Sequence, residues 1–519
     1  MTKSNHSYVV YIILLIAGGL SVLAFAPANR PLFIVLSLLP LLWYSAEWLR
    51  LAPSKTSVLG AWSYACGYFF MQLYWVFYTL YWVIGSGFIV ATLGFVAFAG
   101  VMTVFIVLAL WLFQRLATRS AEFNYLLLLP SLWVIGEWLR GWIFTGFPWS
   151  DLAYTQVNNY LLQGFFPVMG SYSVSWLTLS IVGFVYLVIR NHKIMVEPNA
   201  QLSLAQRLAI IYFALIGVGA YTLHAREYTQ AYGKPSRIAL VQGNINEAAK
   251  WDMNKLVANL DMYAKIIAKT KADIVLLPET AFPIYPEYLP VHYLEDIIKF
   301  AALNHAAVVV GMPQRLNHNG AYVNAAVVVT SPQQPYYAKA HLVPFGEYIP
   351  LKAFWGKFYL LAQLPLVGFS PGPRNQAPLV IAQQKIAFNL CYENGFGSEL
   401  ITAARQSTLM VNLSDMVWYG NSIAKDEHLQ LSQARALENQ RYFIQETNTG
   451  VTAIINPFGQ IQARLPDFTA QVLQDYVQGR IGTTPYQRWG NYPIIILCSL
   501  IVLVAGYWRC ASRCKGSQY

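Results

Sequence analysis

Three residues that could carry nucleophilic chemistry, Glu279, Lys339 and Cys391, each follow a short apolar run in the second half of the chain. Cys391 comes directly after the run 386–390 and before a polar turn. A cysteine at such a strand-to-helix turn can lie near a helix N-terminus, which favours its thiolate form. A thiolate nucleophile also needs a base and a group that stabilises an oxyanion. A carboxylate and an ammonium can fill these two roles, so the pattern indicates nucleophilic catalysis on Cys391.

The five cysteines of the chain also allow a structural interpretation. Only Cys391 lies within 226–491, so it cannot form a disulfide inside that region, and a lone cysteine is often a small buried hydrophobe. Cys510 and Cys514 lie in a basic tail after the last apolar segment, where we expect free cytoplasmic thiols. The position of Cys391 at the end of a strand favours the functional interpretation.

Composition indicates a membrane protein. The chain has 519 residues, of which 56% are hydrophobic and only 11% charged; soluble proteins average about 25% charged residues. The apolar character is concentrated in 8–225 and 492–508. We therefore predict three parts: a seven-span membrane domain (1–225), a catalytic domain (226–491), and an eighth span with a basic tail (492–519).

Eight apolar segments are long enough to be membrane spans. They lie near 8–25, 31–49, 57–82, 87–114, 123–145, 165–189, 206–223 and 492–508. The first could also be a cleavable signal peptide, but it has a weakly basic start and Pro27 follows its small-residue triplet, so we predict that it is retained.

The net charge of +11 comes largely from Lys and Arg at the ends of these segments. Positive charge on the cytoplasmic side would place 226–491 on the opposite face, the periplasm of a bacterial inner membrane. No basic stripe with interleaved aromatic residues is present in 226–491, so we predict membrane lipids and no nucleic acid as partners.

Two ionisable residues, Glu137 and Arg140, lie within or near an apolar helix. Ionisable groups in such segments are costly and are usually paired or functional. They could also extend to the membrane surface from a helix end.

Region 226–491 alternates short apolar runs with segments of helical periodicity, which predicts an α/β domain with a buried sheet. The predicted strands include 237–242, 274–277, 306–311, 322–330, 386–390, 409–412, 442–447 and 451–456, and the helices lie near 254–270, 293–304, 397–406 and 424–439.

The order Glu279, Lys339, Cys391 resembles the Glu-Lys-Cys triad of the carbon–nitrogen hydrolase (nitrilase) superfamily. Eight spans with this domain between the seventh and the eighth resemble one member family, the apolipoprotein N-acyltransferases. The shared motifs include Gly-Phe-Pro-Trp at 146–149, Val-Gln-Gly-Asn at 241–244, Pro-Phe-Gly-Glu-Tyr at 344–348, Trp-Tyr-Gly at 418–420 and Thr-Asn-Thr-Gly at 447–450.

The resemblance implies an αββα sandwich and a ping-pong reaction without metal or organic cofactor. Cys391 would attack an acyl ester of a phospholipid, typically phosphatidylethanolamine, and the α-amino group of a diacylglyceryl apolipoprotein would then take the acyl chain. Glu279 would be the general base, and Lys339 would stabilise the oxyanion. The resemblance also assigns supporting or substrate-binding roles to Glu347, Glu393, Tyr392, Trp251 and Trp418. Of these, Glu347 and Glu393 would hold Lys339 or the acceptor amine, while Trp251 and Tyr392 would line the pocket.

Three sites depart from the family pattern: Ser414-Asp415, Gln445-Glu446 and Ala153. We expect these departures to leave the triad untouched but to affect the lining of the acyl or acceptor site, and with it the substrate preference. Two other functions remain open at this point: a membrane-anchored nitrilase-like amidase or hydrolase that uses water as acceptor, and a non-catalytic membrane protein such as a transporter. Seven spans exceed what a tether requires, which favours lipid chemistry.

Overall fold

The computed structural model describes residues 3–50, 55–196, 202–316, 321–350 and 368–516. For Cys514 and the rest of 512–516 it gives the helical backbone alone. The described residues form two compact units, each with its own internal packing. The first unit comprises Met1–Tyr74, Thr92–Arg226 and Trp489–Tyr519, and the second comprises Trp75–Ala91 and Glu227–Arg488.

The first unit is helical. Its elements, with the short helix α4 at its boundary, are α1 (Lys3–Leu20), α2 (Leu32–Arg50), α3 (Lys55–Gln72), α4 (Tyr74–Tyr78), α5 (Phe88–Leu116), α6 (Ala121–Phe123), α7 (Leu129–Arg140), α8 (Phe166–Val196), α9 (Leu204–Leu223) and α16 (Tyr492–Gly516). Within the described chain, four helices are long and apolar enough to cross a membrane: Phe88–Leu116, Gln163–Asn191, Leu204–Leu223 and Tyr492–Ala511. Tyr8–Ala24 and Leu32–Glu47 are shorter apolar helices.

Helices occupy all eight predicted segments, but not all of these segments are continuous. For example, α7 ends at Arg140, before the end of segment 123–145, and α8 is interrupted at Gly170, which has a φ of +74°. Segment 57–82 was expected to be a single span, whereas α3 ends at Gln72 and a π-helix, Thr79–Val83, follows α4. Because segment 75–91 packs with the second unit, it departs from the predicted membrane domain.

Glu137 and Arg140 hold the loop that follows α7. The Arg140 guanidinium forms a buried ion pair with Asp151, 2.5 Å away, and donates to the carbonyl of Phe147 at 3.2 Å. Glu137 Oε1 accepts from the Leu152 amide at 2.9 Å. Both residues are therefore paired within the unit, as ionisable groups in an apolar bundle must be.

The second unit is an α/β domain. Its strands are β1 (Thr229–Ala231), β2 (Ser236–Gln242), β3 (Ile274–Leu276), β4 (Ala307–Arg315), β5 (Tyr322–Val328), β6 (Tyr336–Ala338), β7 (Leu379–Ile381), β8 (Gln384–Leu390), β9 (Leu409–Ser414), β10 (Phe443–Thr447), β11 (Ala453–Ile455), β12 (Ile461–Arg464), β13 (Gln471–Val477) and β14 (Arg480–Gly482). Its helices are α10 (Glu247–Lys250), α11 (Met253–Lys269), α12 (Tyr293–Leu303), α13 (Gly397–Gln406), α14 (Ala424–Asn439) and α15 (Pro485–Trp489).

Two six-stranded sheets form the centre of this domain, in the orders β13-β2-β3-β4-β5-β6 and β12-β11-β10-β9-β8-β7. The central strands β2, β3 and β4 run parallel, as do β8, β9 and β10, and antiparallel strands flank each group. Parallel strands bury both faces, which explains their continuous apolar sequences.

The alternation of side chains along β2 shows how the layers are built. Ile238 and Leu240 pack between the two sheets, whereas Ala239 and Val241 pack against α11 and α12. On the far side, α13 and α14 cover the second sheet. The predicted αββα sandwich is therefore confirmed, and the carboxyl ends of its parallel strands carry the residues discussed below.

One ionisable side chain, that of Glu446, is buried within this largely apolar interior. Glu446 on β10 is fully buried, and neither of its carboxylate oxygens has a hydrogen-bond partner among the described residues. Burial raises the pKa of Glu446 well above its usual 4.5, and the nearby amide of Val241 opposes this only in part.

We expect Glu446→Gln to stabilise the protein relative to wild type as pH rises. The folded state keeps the Glu446 proton to a higher pH than the unfolded chain, so wild-type stability falls above the unfolded pKa of about 4.3. The variant should gain up to about 1.4 kcal/mol per pH unit, measured as unfolding midpoints in detergent between pH 5 and 8. An exposed control, Asp296→Asn, whose partner is Lys299 rather than a histidine, should show no such trend, and a pH-independent difference for Glu446→Gln would contradict the interpretation.

Candidate active site

Lys339 is the centre of a buried ionic cluster. It follows β6, and its side chain is only 1% exposed. Its Nζ lies 3.1 Å from Glu279 Oε1 and 3.0 Å from Glu347 Oε1. Burial by itself would lower the pKa of Lys339, but the two carboxylates outweigh it and hold that pKa well above 10.5. Lys339 therefore stays an ammonium at neutral pH and cannot act as the base.

Glu279 is held by groups from three different elements. It follows β3, and its Oε1 accepts from Asn324 Nδ2 on β5 at 2.7 Å as well as from Lys339. Its Oε2 accepts from the backbone N–H of Asp415 at 3.1 Å. A Cβ on Gly311 of β4 would lie 2.6 Å from Glu279 Cα, so glycine is required for this close approach. The carboxylate is thus fixed in one orientation.

Cys391 follows β8 and opens the 3-10 turn Cys391–Gly395 with φ of +49°, in the left-handed region that few residues other than glycine adopt. Burial is the largest cause that raises the pKa of the Cys391 thiol to about 12; the charge of Glu279 also raises it, whereas Lys339 and Ser414 lower it. The thiol is therefore neutral near pH 7, contrary to the thiolate expected at such a turn. Attack by this sulfur consequently needs a base, and Glu279 is the carboxylate that acts on it most strongly.

Glu393 has a different role from the one expected. It was predicted to hold Lys339 or an acceptor amine, but its Oε1 accepts from the backbone N–H groups of Ala340 and His341 at 2.8 and 2.9 Å. Its Oε2 accepts from the Leu390 N–H at 2.7 Å. Glu393 therefore joins the segment after Lys339 to the residue before Cys391.

The three aromatic candidates lie in different environments. Tyr392 is buried, and its ring packs edge-on against Phe396. Trp251 is 47% exposed, and its Nε1 donates to Glu247 Oε1 at 2.6 Å. Trp418 is half-buried in the loop 416–420. Only Tyr392 directly adjoins Cys391.

Loop 416–420 is held by segment 75–91, which no sequence motif had indicated. Thr79 Oγ1 donates to the carbonyl of Trp418 at 2.6 Å, and the rings of Trp75 and Tyr419 meet edge-on at 5.1 Å. The Tyr419 hydroxyl lies against the Cys391 thiol. The segment thus contributes to the surroundings of the cysteine.

One of the sites that depart from the family pattern, Ser414-Asp415, lies beside the triad, and Ser414 is close enough to lower the pKa of the Cys391 thiol. The backbone of Asp415 contacts Glu279 directly, and its carboxylate forms a buried ion pair with Lys250. Asn448 Nδ2 adds a hydrogen bond to Asp415 Oδ1 at 3.2 Å. The Asp415–Lys250 pair thus supports the loop that orients the Glu279 carboxylate.

Sequence reasoning also missed Asn324, whose Nδ2 contacts both Glu279 and Glu347. A signal was available, because Asn324 is the one polar residue within the buried run of β5 after its first residue. A polar side chain in such a strand needs a partner and so marks a candidate site. Within the described ranges, no group of three or more His, Cys, Asp or Glu side chains could hold a metal ion.

Two family models match the chain. The carbon–nitrogen hydrolase model covers residues 237–486, which include the sandwich and the ionic cluster. The model of the apolipoprotein N-acyltransferase N-terminal domain covers residues 17–184. Fold and site together define an acyl-transferring enzyme of the nitrilase superfamily, embedded in a membrane by its apolar helices.

Relatives narrow this class to one family. An apolipoprotein N-acyltransferase of Chromobacterium violaceum is 42% identical over 77% of this chain and 75% of its own length. Those of Neisseria meningitidis serogroup B and Nitrosomonas europaea are 39% and 34% identical, over 76% and 96% of this chain and 78% and 97% of their own lengths. The chain therefore belongs to the apolipoprotein N-acyltransferase family.

The charge on Glu279 should govern the reactivity of Cys391 toward iodoacetamide. Because that charge raises the thiol pKa, we expect Glu279→Gln to lower the pKa and to speed alkylation of Cys391 at pH 8. The rate should rise about tenfold if the thiol pKa falls by about one, because the thiolate fraction rises by that factor. Alkylation is followed by mass spectrometry of the Cys391 peptide, which separates it from the other cysteines.

Glu347→Gln is the matched control for this experiment. Glu347 also raises the thiol pKa but is the smallest contributor, so its removal should speed alkylation less. Slower alkylation in Glu279→Gln would contradict this prediction. It would mean that Glu279 promotes the reaction of the thiol with iodoacetamide, for example as a base, more than its charge slows that reaction by raising the thiol pKa.

Proposed function

We propose that the chain transfers an acyl group from a phospholipid to the free α-amino group of a diacylglyceryl-cysteine apolipoprotein, in two steps through a thioester on Cys391. The observation that carries the proposal is the pairing of a buried ammonium, Lys339, with an oriented carboxylate, Glu279, beside a neutral thiol. This arrangement supplies a base, an electrostatic partner for an oxyanion and a nucleophile. Membership of the family provides the substrate class.

In the first step, Glu279 takes the thiol proton as Cys391 Sγ attacks the ester carbonyl carbon. The carbonyl oxygen becomes an oxyanion that Lys339 stabilises, since its ammonium remains charged at neutral pH. The C–O ester bond then breaks, and the proton passes from Glu279 to the leaving oxygen. A lysophospholipid departs, and the acyl group remains on sulfur.

In the second step, the α-amine of the acceptor attacks the thioester carbon and gives its proton to Glu279. The C–S bond breaks, the proton returns to Cys391 and an N-terminal amide is formed. The same three residues serve both steps because each step is a nucleophilic attack on the same acyl carbon. In each step Glu279 takes the proton of the attacking group and passes it to the leaving group.

The supporting residues act on the geometry in this scheme. Glu347 and Asn324 hold Lys339 and Glu279 in place, while Glu393 keeps the segment after Lys339 next to Cys391. Tyr392, Trp251 and Trp418 would contact the lipid substrates. We further propose phosphatidylethanolamine as the donor, and the domain 226–491 on the periplasmic face of the inner membrane, which the concentration of Lys and Arg in the opposite loops supports.

Cys391 should become acylated when the purified protein is incubated with phosphatidylethanolamine. We expect the intact mass to increase by one fatty acyl group in wild type, no increase in Cys391→Ala, and an unchanged increase in Cys498→Ala, which removes another buried thiol. A phosphatidylglycerol with the same acyl chains tests the headgroup preference and should react more slowly.

The acceptor distinguishes transferase from hydrolase. Addition of a diacylated lipopeptide should clear the adduct and yield an N-acylated peptide. An adduct that clears equally fast in buffer would identify a hydrolase, and a folded wild-type protein without any adduct would refute the thioester mechanism.

A further inference from the structure

The backbone of Cys391 is held in an unfavourable conformation. At a φ of +49°, the Cβ of any residue other than glycine lies too close to the backbone of the same residue. Such a conformation persists only where the surrounding structure imposes it. The orientation of Sγ depends on this conformation because φ and ψ set the direction of the Cα–Cβ bond. Whatever fixes the backbone of Cys391 therefore aims the sulfur.

Two buried side chains donate to the carbonyl oxygen of Cys391. Asn412 Nδ2 on β9 lies 3.0 Å from it, and His428 Nε2 on α14 lies 3.1 Å from it. Both residues have no exposed surface. Asn412 is itself oriented by Asn389, its register partner on β8, because Asn412 Nδ2 also donates to Asn389 Oδ1 at 2.6 Å.

The protonation of His428 follows from its contacts. Burial lowers the pKa of His428 to about 4, so the ring is neutral at physiological pH. Acceptors lie near both ring nitrogens: the Cys391 carbonyl oxygen is 3.1 Å from Nε2, and Gln445 Oε1 is 3.2 Å from Nδ1. We assign the single ring proton to Nε2, because Nδ1 can then accept from Asn394 Nδ2 at 3.3 Å. The Gln445 oxygen near Nδ1 receives its own hydrogen bond from Ser432 Oγ at 2.7 Å.

We infer that His428 and Asn412 are positioning residues of the nucleophile: by donating together to the Cys391 carbonyl, they hold the left-handed backbone that directs Sγ toward Glu279 and Lys339. The inference rests on the proposed function only in taking Cys391 as the nucleophile. Neither side chain touches a substrate or a reacting atom in this role. Removal of a donor would let the backbone relax to an ordinary conformation and turn the sulfur away.

Replacement of His428 by leucine and by glutamine separates the donor from the bulk of the ring. Leucine fills space without an N–H, whereas the side-chain amide of glutamine can reach the same oxygen. We expect His428→Leu to slow acylation of Cys391 at saturating phospholipid by about tenfold to a hundredfold, with KM changed less than about threefold. His428→Gln should recover to within about threefold of wild type.

A second readout does not depend on acyl transfer. The pKa of Cys391, taken from the pH dependence of alkylation, should differ by at least about half a pH unit between His428→Leu and wild type, because the sulfur moves relative to Glu279 and Lys339. His428→Gln should match wild type. This readout remains valid even if no phospholipid adduct forms, so failure of the proposed function and failure of the positioning role can be told apart.

Gln433→Ala is the matched control. Gln433 is another buried polar residue of α14, but its Nε2 donates to the carbonyl of Gly459 at 2.7 Å and not to the network around Cys391. Its removal should leave both readouts unchanged. Should His428→Leu not fold, Asn412→Leu removes the other donor and is expected to act in the same direction. The inference would be overturned if a folded His428→Leu or Asn412→Leu variant kept the wild-type rate and thiol pKa. Equal defects in His428→Leu and His428→Gln would also overturn it.

Discussion

The site depends on one buried cation held between two carboxylates. Removing an ammonium from water costs several kcal/mol unless partners compensate for the lost hydration, and Lys339 obtains this compensation from Glu279 and Glu347. These three residues come from the ends of two strands and a following loop, so the cluster exists only in the folded domain. Loss of one partner would leave buried charge uncompensated, which typically costs about 3–5 kcal/mol.

Burial is the main reason why the Cys391 thiol is neutral, and the same cluster adds to this effect. Glu279 and Glu347 both raise the pKa of the thiol, whereas Lys339 lowers it. A neutral thiol is a weaker nucleophile than a thiolate, so this sulfur reacts slowly unless its proton is transferred as the new bond forms. In the proposed mechanism Glu279 takes that proton only when a substrate is aligned, which would limit side reactions.

The sandwich supplies the rigidity that this chemistry needs. The carboxyl ends of β3, β8 and β9 bring Glu279, Cys391 and Asp415 to one edge, and the dry core between the sheets keeps the strands in register. Polar side chains then complete the arrangement from outside the strand ends: Asn324 between two carboxylates, and the Lys250 ion pair behind Asp415. Each of these polar groups is satisfied, as buried polar networks must be if they are to fix one geometry.

Much of the molecule follows from local sequence alone: the apolar helices, the alternation of strands and helices in the second half, and the placement of Glu279, Lys339 and Cys391 at strand ends. Hydrophobic periodicity and turn residues are local signals, so they can be read without the fold. Only the tertiary structure decided which carboxylate meets which cation, that Glu393 binds backbone rather than Lys339, that segment 75–91 joins the catalytic unit, and that the thiol is neutral. Hydrogen bonds such as those from His428 to Cys391, and from Lys250 to Asp415, join residues 37 and 165 positions apart. Burial and hydrogen-bond geometry depend on all the atoms that surround a group, and most of those atoms are distant in sequence.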